Sequence, residues 1–165
     1  MSKSLNVVPS PDDVKTGVRD TGRIADMLAD VLADTYHLTF KSHAYHWNVE
    51  GPLFYSIHNL TEEHYENLFE AADELAERIR ALGHLAPGSM ADILKRSKME
   101  DTETVLSAED MLQNLAADHE RIAHRMHALI RAAGEAEDPV TEDLATERSA
   151  FHEQAAWMLR ALAKK

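Results

Sequence analysis

From Val18 to Asn48 the apolar residues Ile24, Met27, Leu28, Val31, Leu32, Tyr36 and Phe40 recur at spacings of three and four, the period of one helical face. Gly51-Pro52 closes that segment. The period returns from about Phe54 to Leu82, through Ile57, Tyr65, Leu68, Phe69, Ala72, Leu75 and Ile79, with Gly83 placed to cap the C-terminus. Pro87-Gly88 marks a loop. Ser89 with Asp92 has the form of a capping box and predicts a short helix over Met90–Arg96. After a polar loop, Ser107 and Asp110 start a third long helix that continues to about Ala133 and is expected to end at Gly134. Asp138 as N-cap and Pro139 at the first helical position start a fourth, running close to the end of the chain. No strand pattern, internal repeat or low-complexity block is visible in the sequence.

The expected fold class is therefore all-α, with four long helices and a short extra helix between the second and third. Helices of ~25–30 residues are ~40 Å long. Short connections make neighbouring helices antiparallel. The link between the second and third long helices is about 25 residues including the short helix, enough to cross the bundle and let those two helices run parallel. A single long crossover is the topology of a ferritin-like four-helix bundle. Residues 1–17 read as a flexible N-terminal tail and residues 18–165 as the bundle domain.

Composition narrows the chemistry. The 165 residues include 29 acidic and 17 basic side chains, a formal net charge of −12, ten histidines and no cysteine. Such a length suits one domain with a substantial core. Without cysteine there are no disulfides, thiol catalysis, zinc fingers or iron–sulfur clusters, so metal chemistry has to use imidazole and carboxylate. An acidic body argues against a nucleic-acid-binding surface, leaving only locally basic termini for such contact. The start of the chain is polar and broken by Pro9, Pro11, Gly17 and Gly22, and no stretch reaches the ~20 apolar residues of a membrane span. A cytoplasmic protein is the expectation.

Three pairs of candidate ligands share helix faces: His43 with His46, His58 with Glu62, and Asp73 with Glu77. Any one pair is also what a solvated charged helix carries. The spacing between pairs says more. His58 and Asp73 lie fifteen residues apart, ~22 Å along one helix, and cannot hold the same ion within one copy. Two copies packed antiparallel about a dyad near Asn67/Leu68 would set His58 against the partner's Glu77 and Glu62 near the partner's Asp73, giving two equivalent intersubunit sites. On that arrangement a monomer lacks high-affinity metal binding. An in-chain di-iron site needs Glu-x-x-His on its helices. The nearest match is Asp34-x-x-His37.

The run Lys41-Ser-His-Ala-Tyr-His46-Trp47-Asn48-Val-Glu-Gly51-Pro-Leu-Phe54, then His58, then Asp73-Glu-Leu-Ala-Glu77-Arg78-Ile, resembles the signature of the Dps family. These are ferritin-like mini-ferritins, also called DNA-binding proteins from starved cells. The resemblance spans nearly the whole chain, including the short helix and the ending Ala156-Trp157-Met-Leu-Arg160. It implies a hollow dodecamer with ferroxidase centres at two-fold interfaces. His46 and His58 would come from one subunit, and Asp73 and Glu77 from its neighbour. Where the family usually has Asp four residues after the second histidine, this chain has Glu62, a longer carboxylate that bears on affinity and on occupancy of the second iron position.

The resemblance further implies that Fe(II) is oxidised by hydrogen peroxide more readily than by dioxygen, and that ferric mineral is stored in the cavity. The protein would thus protect against oxidative damage under stress. The ligand set also admits Zn or Mn. Trp47 beside His46 has two readings, an electron donor that traps a radical or a residue packed at the dimer interface. Glu135, Glu137, Asp138, Glu142, Asp143 and Glu147 either line an acidic pore at a three-fold axis or form a solvated helix cap. Glu63, Glu66 and Glu70 are candidate mineral nucleators. His119, His124 and His127 read as a group of surface histidines, with an accessory metal site as the alternative.

DNA binding is the alternative function. In the family it often uses a lysine-rich N-terminal tail. Here the first nineteen residues hold Lys3, Lys15 and Arg19 alongside Asp12 and Asp13, and the C-terminus ends in Lys164 and Lys165. Twelve copies supply multivalency, but the acidic body and the salt sensitivity of phosphate contacts oppose compaction of a nucleoid. A third reading is a bundle that only assembles, with a small oligomer and no ferroxidase activity.

Overall fold

A computed structural model describes residues 14–101 and 106–164 of the chain. It contains α1 (Thr21–Asn48), α2 (Phe54–Ala81), α3 (Met90–Arg96), α4 (Ala108–Glu135) and α5 (Pro139–Leu162), and no strand among the described residues. Local caps explain several boundaries. Ser89 accepts a hydrogen bond from the Asp92 amide, Ser107 from that of Asp110, and Asp138 from that of Thr141 with Pro139 next in line. Each such cap is worth ~1 kcal/mol. Gly83 adopts φ 86 after the last turn of α2, as its placement predicts.

Two ends differ from expectation. The first helix starts at Thr21 rather than Val18, because Asp20 sits in the left-handed region at φ 50. The third long helix runs through Gly134 and reaches Glu135. Ala136 is its C-cap, and the left-handed residue is Glu137, at φ 57, whose carboxylate pairs with Arg19 at 2.7 Å.

Side-chain bonds define the topology. Thr21 meets His84 at one end of α1/α2 and His46 meets His58 at the other, so these helices are antiparallel. Arg23–Glu135, Asp34–Arg125 and Lys41–Asp118 run α4 antiparallel to α1, which makes α2 and α4 parallel. His127–Glu153 and Gln113–Arg160 pair α4 with α5 in the antiparallel sense. The crossover climbs α1 as it goes. Arg96 reaches Asp26 and Asp30, Ser97 donates to Asp34, and Asp101 meets His37. This is the ferritin-like arrangement with one long crossover. Asp34 and His37, the nearest match to an in-chain iron motif, are occupied in holding that crossover.

The core is aliphatic. Ile24, Leu28 and Leu32 of α1, Leu68, Leu75 and Ile79 of α2, and Leu112, Leu115, Ile122 and Met126 of α4 are fully buried. Three members of the expected apolar stripes are not core residues. Tyr36, Phe40 and Phe69 are 37, 63 and 61% exposed, on the outside of the α1/α2 hairpin.

Candidate metal centre

Gly51 at φ 99 turns the chain between α1 and α2 and brings His46 back against His58. The two imidazoles hold each other through the backbone. His46 Nδ1 donates to the His58 carbonyl at 2.8 Å, and His58 Nδ1 donates to the His46 carbonyl at 2.9 Å. A carbonyl only accepts, so both protons sit on Nδ1 and both Nε2 atoms keep free lone pairs. The rings stack at 3.7 Å between centroids. Glu62 follows His58 by one helical turn, and ligand atoms of His46, His58 and Glu62 all lie within 4.8 Å of one another. Among the described residues this is the one group of three or more such side chains that comes so close. His46 is buried, while His58 and Glu62 are half-buried, so the centre is reachable from outside. Two imidazole nitrogens and one carboxylate suit Fe(II), Zn(II) or Mn(II), with coordination positions left over.

Asp73 and Glu77 do not join this centre. Both are exposed, further along α2, and Asp73 borders a surface hollow with Tyr36, Phe69, Glu70 and Glu74. Trp47 is 57% exposed and packs against His43 at 4.1 Å and, edge-on, Phe40 at 6.5 Å. Tyr65 is a neighbour of the centre that sequence reasoning missed. Its ring stacks on His43 at 4.3 Å and meets His46 edge-on at 5.3 Å. Burial, then the charges of Glu62 and Glu66 and a hydrogen bond to Glu62, push its phenol pKa up. Its spacing from Glu62 and His58, three and seven residues along one helix face, was the signal available. With Phe54 stacked on His58, and Trp47 and Phe40 exposed beside His43, the centre borders an apolar outer face.

The other candidates separate on burial. Asp138 is fully buried against Arg78 and Thr141, so it is a structural cap and not a pore residue. Burial would raise its carboxyl pKa, but those partners outweigh burial and hold it below the ordinary value. Glu135 and Glu137 are tied in exposed pairs with Arg23 and Arg19, while Glu142, Asp143 and Glu147 are exposed. Glu63, Glu66 and Glu70 are exposed on α2. His124 and His127 are surface residues, the latter paired with Glu153 at 2.9 Å, but His119 is fully buried and the expectation for it is wrong. Lys15, Arg19 and Lys164 are exposed. Lys3, Asp12, Asp13 and Lys165 lie outside the described residues.

Comparison with known proteins agrees with the fold. The sequence profile described as "Ferritin-like domain" matches residues 25–165. An uncharacterized low temperature-induced protein of Nostoc sp. is 40% identical over 151 residues, covering 89% of this chain and 84% of that protein. The DNA protection during starvation protein of Helicobacter pylori is 32% identical, covering 82% of this chain and 95% of that protein. The crystal structure of Dps from Staphylococcus aureus superposes with a TM-score of 0.86 at 30% identity, over 90% of this chain and 99% of that one. Dps from Vibrio cholerae, described as a member of a broad superfamily of ferritin-like diiron-carboxylate proteins, gives 0.83 at 28% identity, over 87% and 91%.

Proposed function

The chain belongs to the Dps family of ferritin-like mini-ferritins, and on that premise we propose that it stores iron by oxidising Fe(II) at a centre shared between two subunits. One observation carries the reading. The reciprocal Nδ1–carbonyl bonds of His46 and His58 present two Nε2 lone pairs beside the Glu62 carboxylate. Fe(II) is the substrate. Each imidazole offers it an Nε2 lone pair, and Glu62 supplies compensating charge.

Asp73 and Glu77, exposed and remote from the histidines of their own chain, complete the centre of a neighbour across the two-fold axis. The exposed aromatic face around the centre is the surface such a dimer covers. Twelve subunits close into a shell that holds the ferric product, with hydrogen peroxide as the preferred oxidant. Zn(II) and Mn(II) compete for the same ligands. The bundle domain is assigned to residues 18–165; of the preceding segment, 1–17, residues 1–13 lie outside the described residues. No helix among the described residues is long and apolar enough to cross a membrane, and we place the protein in the cytoplasm.

Peroxide-dependent Fe(II) oxidation, measured with the mass in solution, tests this reading. His58→Ala should abolish oxidation in a particle that keeps the wild-type mass. A small oligomer, or undiminished oxidation in His58→Ala, would overturn it. Trp47 is proposed as the electron donor nearest the surface, through its contact with His43. Trp47→Phe should change the protein radical seen by electron paramagnetic resonance during peroxide oxidation; an unchanged spectrum assigns Trp47 to packing alone. Nucleoid compaction through the basic termini remains the disfavoured alternative, and a gel shift at near-physiological salt with iron-free protein decides it.

A further inference from the structure

The three ligands of the candidate centre are held unequally. His46 and His58 are fixed by reciprocal bonds to backbone carbonyls. Glu62 is a carboxylate that only accepts hydrogen bonds, carried on three rotatable bonds. A loose glutamate loses rotamer freedom whenever it meets a metal, which weakens binding. A donor that holds it beforehand removes part of that loss.

Tyr65 is placed to be that donor. It follows Glu62 by three residues, so the two side chains leave one face of α2. Its ring is pinned on two sides. It lies face to face on His43 at 4.3 Å and 24°, and meets His46 edge-on at 5.3 Å and 83°. His43 is backed in turn by Trp47, at 4.1 Å between centroids. The phenol hydrogen-bonds to Glu62, whereas Glu66 acts on it through charge alone.

We propose that Tyr65 is a positioning residue for the metal centre: its hydroxyl tethers the Glu62 carboxylate beside the Nε2 atoms of His46 and His58. This inference rests on the reading of that centre given above. A carboxylate has two oxygens, enough to accept from the phenol on one and meet a metal with the other. The contact also gives His43 a role. Its ligand atoms do not join the group formed by His46, His58 and Glu62. Its ring is the platform that fixes Tyr65, so the histidine paired with His46 along the sequence serves the centre through packing. The tether runs from Trp47 and His43 through Tyr65 to Glu62, and each link is a contact within one chain.

Zn(II) alone is the probe, titrated into metal-free, full-length, assembled protein. Tyr65→Phe keeps the ring and removes only the hydroxyl. It should weaken Zn(II) binding about tenfold, the lower end of what loss of an outer hydrogen bond costs, with particle mass and Tm unchanged. In a Glu62→Ala background the same substitution should have no further effect, because Tyr65 acts through Glu62. Wild-type affinity in Tyr65→Phe, or an equal loss in both backgrounds, would overturn the proposal. Zn(II) binding that survives His58→Ala undiminished would refute the centre and the tether with it; binding lost there but unmoved by Tyr65→Phe refutes the tether alone. Ultraviolet resonance Raman of the metal-free protein needs no change at position 65. The tyrosine bands should report loss of one carboxylate acceptor on going from wild type to Glu62→Ala, and identical spectra would refute the hydrogen bond.

Discussion

His46/His58 and His119/His152 are both histidine pairs across helix junctions, yet their free nitrogens face opposite fates. In the first pair each Nδ1 has a backbone carbonyl, so both tautomers are fixed and both Nε2 atoms point to a reachable position. In the second pair the Nδ1 atoms have only each other, and both Nε2 atoms are left in the interior without partners. The same side chain is thus a prepared ligand where the backbone accepts its proton, and a costly guest of the core where it does not. Sequence spacing separates the two cases poorly, because it does not show which acceptor the backbone offers.

The largest effect should come from breaking the first pair. His46→Ala removes a ligand and also the acceptor-locked ring beside His58. Loss of an outer hydrogen bond alone costs ~10–100-fold in metal affinity, and loss of a ligand should exceed that. Titration with Zn(II) in the metal-centre range measures it, and a loss below tenfold would show that His46 is a packing residue.

Acid should act on the second pair. Its histidines have folded pKa values below the unfolded value of 6.5, so between those values the unfolded chain binds more protons. Stability is therefore full above about pH 6.5 and falls as pH drops toward the folded values. His64 alone, moving from 6.5 to about 4, corresponds to roughly 3 kcal/mol lost by pH 4. Denaturant unfolding at pH 7 and pH 4.5 checks the sign; equal stability at both would show that these histidines are solvated. The smallest effect concerns reach. Glu62→Asp shortens the carboxylate beside two fixed imidazoles and should change Fe(II) affinity by about tenfold or less, an energy near 1.4 kcal/mol, read by competition with Zn(II).

Much of the fold was legible because its signals are local. Ser89, Ser107 and Asp138 cap within three residues of themselves, and the apolar period identifies every long helix. The outer placement of Tyr36, Phe40 and Phe69 was not legible, since a helix with two apolar faces gives one merged stripe. Within the candidate centre, the spacing singled out His46 with His43 and His58 with Glu62, and the family signature joined His46 to His58. Tyr65 escaped because an aromatic residue at helical spacing reads as core. The burial of His119 had a signal that went unused. It occupies a slot on the stripe of Leu112, Leu115, Ile122 and Met126, where every other member is fully buried. Asp73 and Glu77 depend on a second copy of the chain, and a single chain does not report on their role.

The crossover that climbs α1 has a consequence for how the molecule comes apart. α1/α2 and α4/α5 are each helical hairpins joined by short turns, and the covalent bridge between them is the segment carrying α3. Asp30 and Asp34 hold Arg125, and Lys41 holds Asp118, directly between α1 and α4. A peptide bond cut between α3 and α4 would leave two complementary fragments still clasped by those charges and by the shared aliphatic core. The chain is in that sense a heterodimer of hairpins that happens to be encoded as one polypeptide.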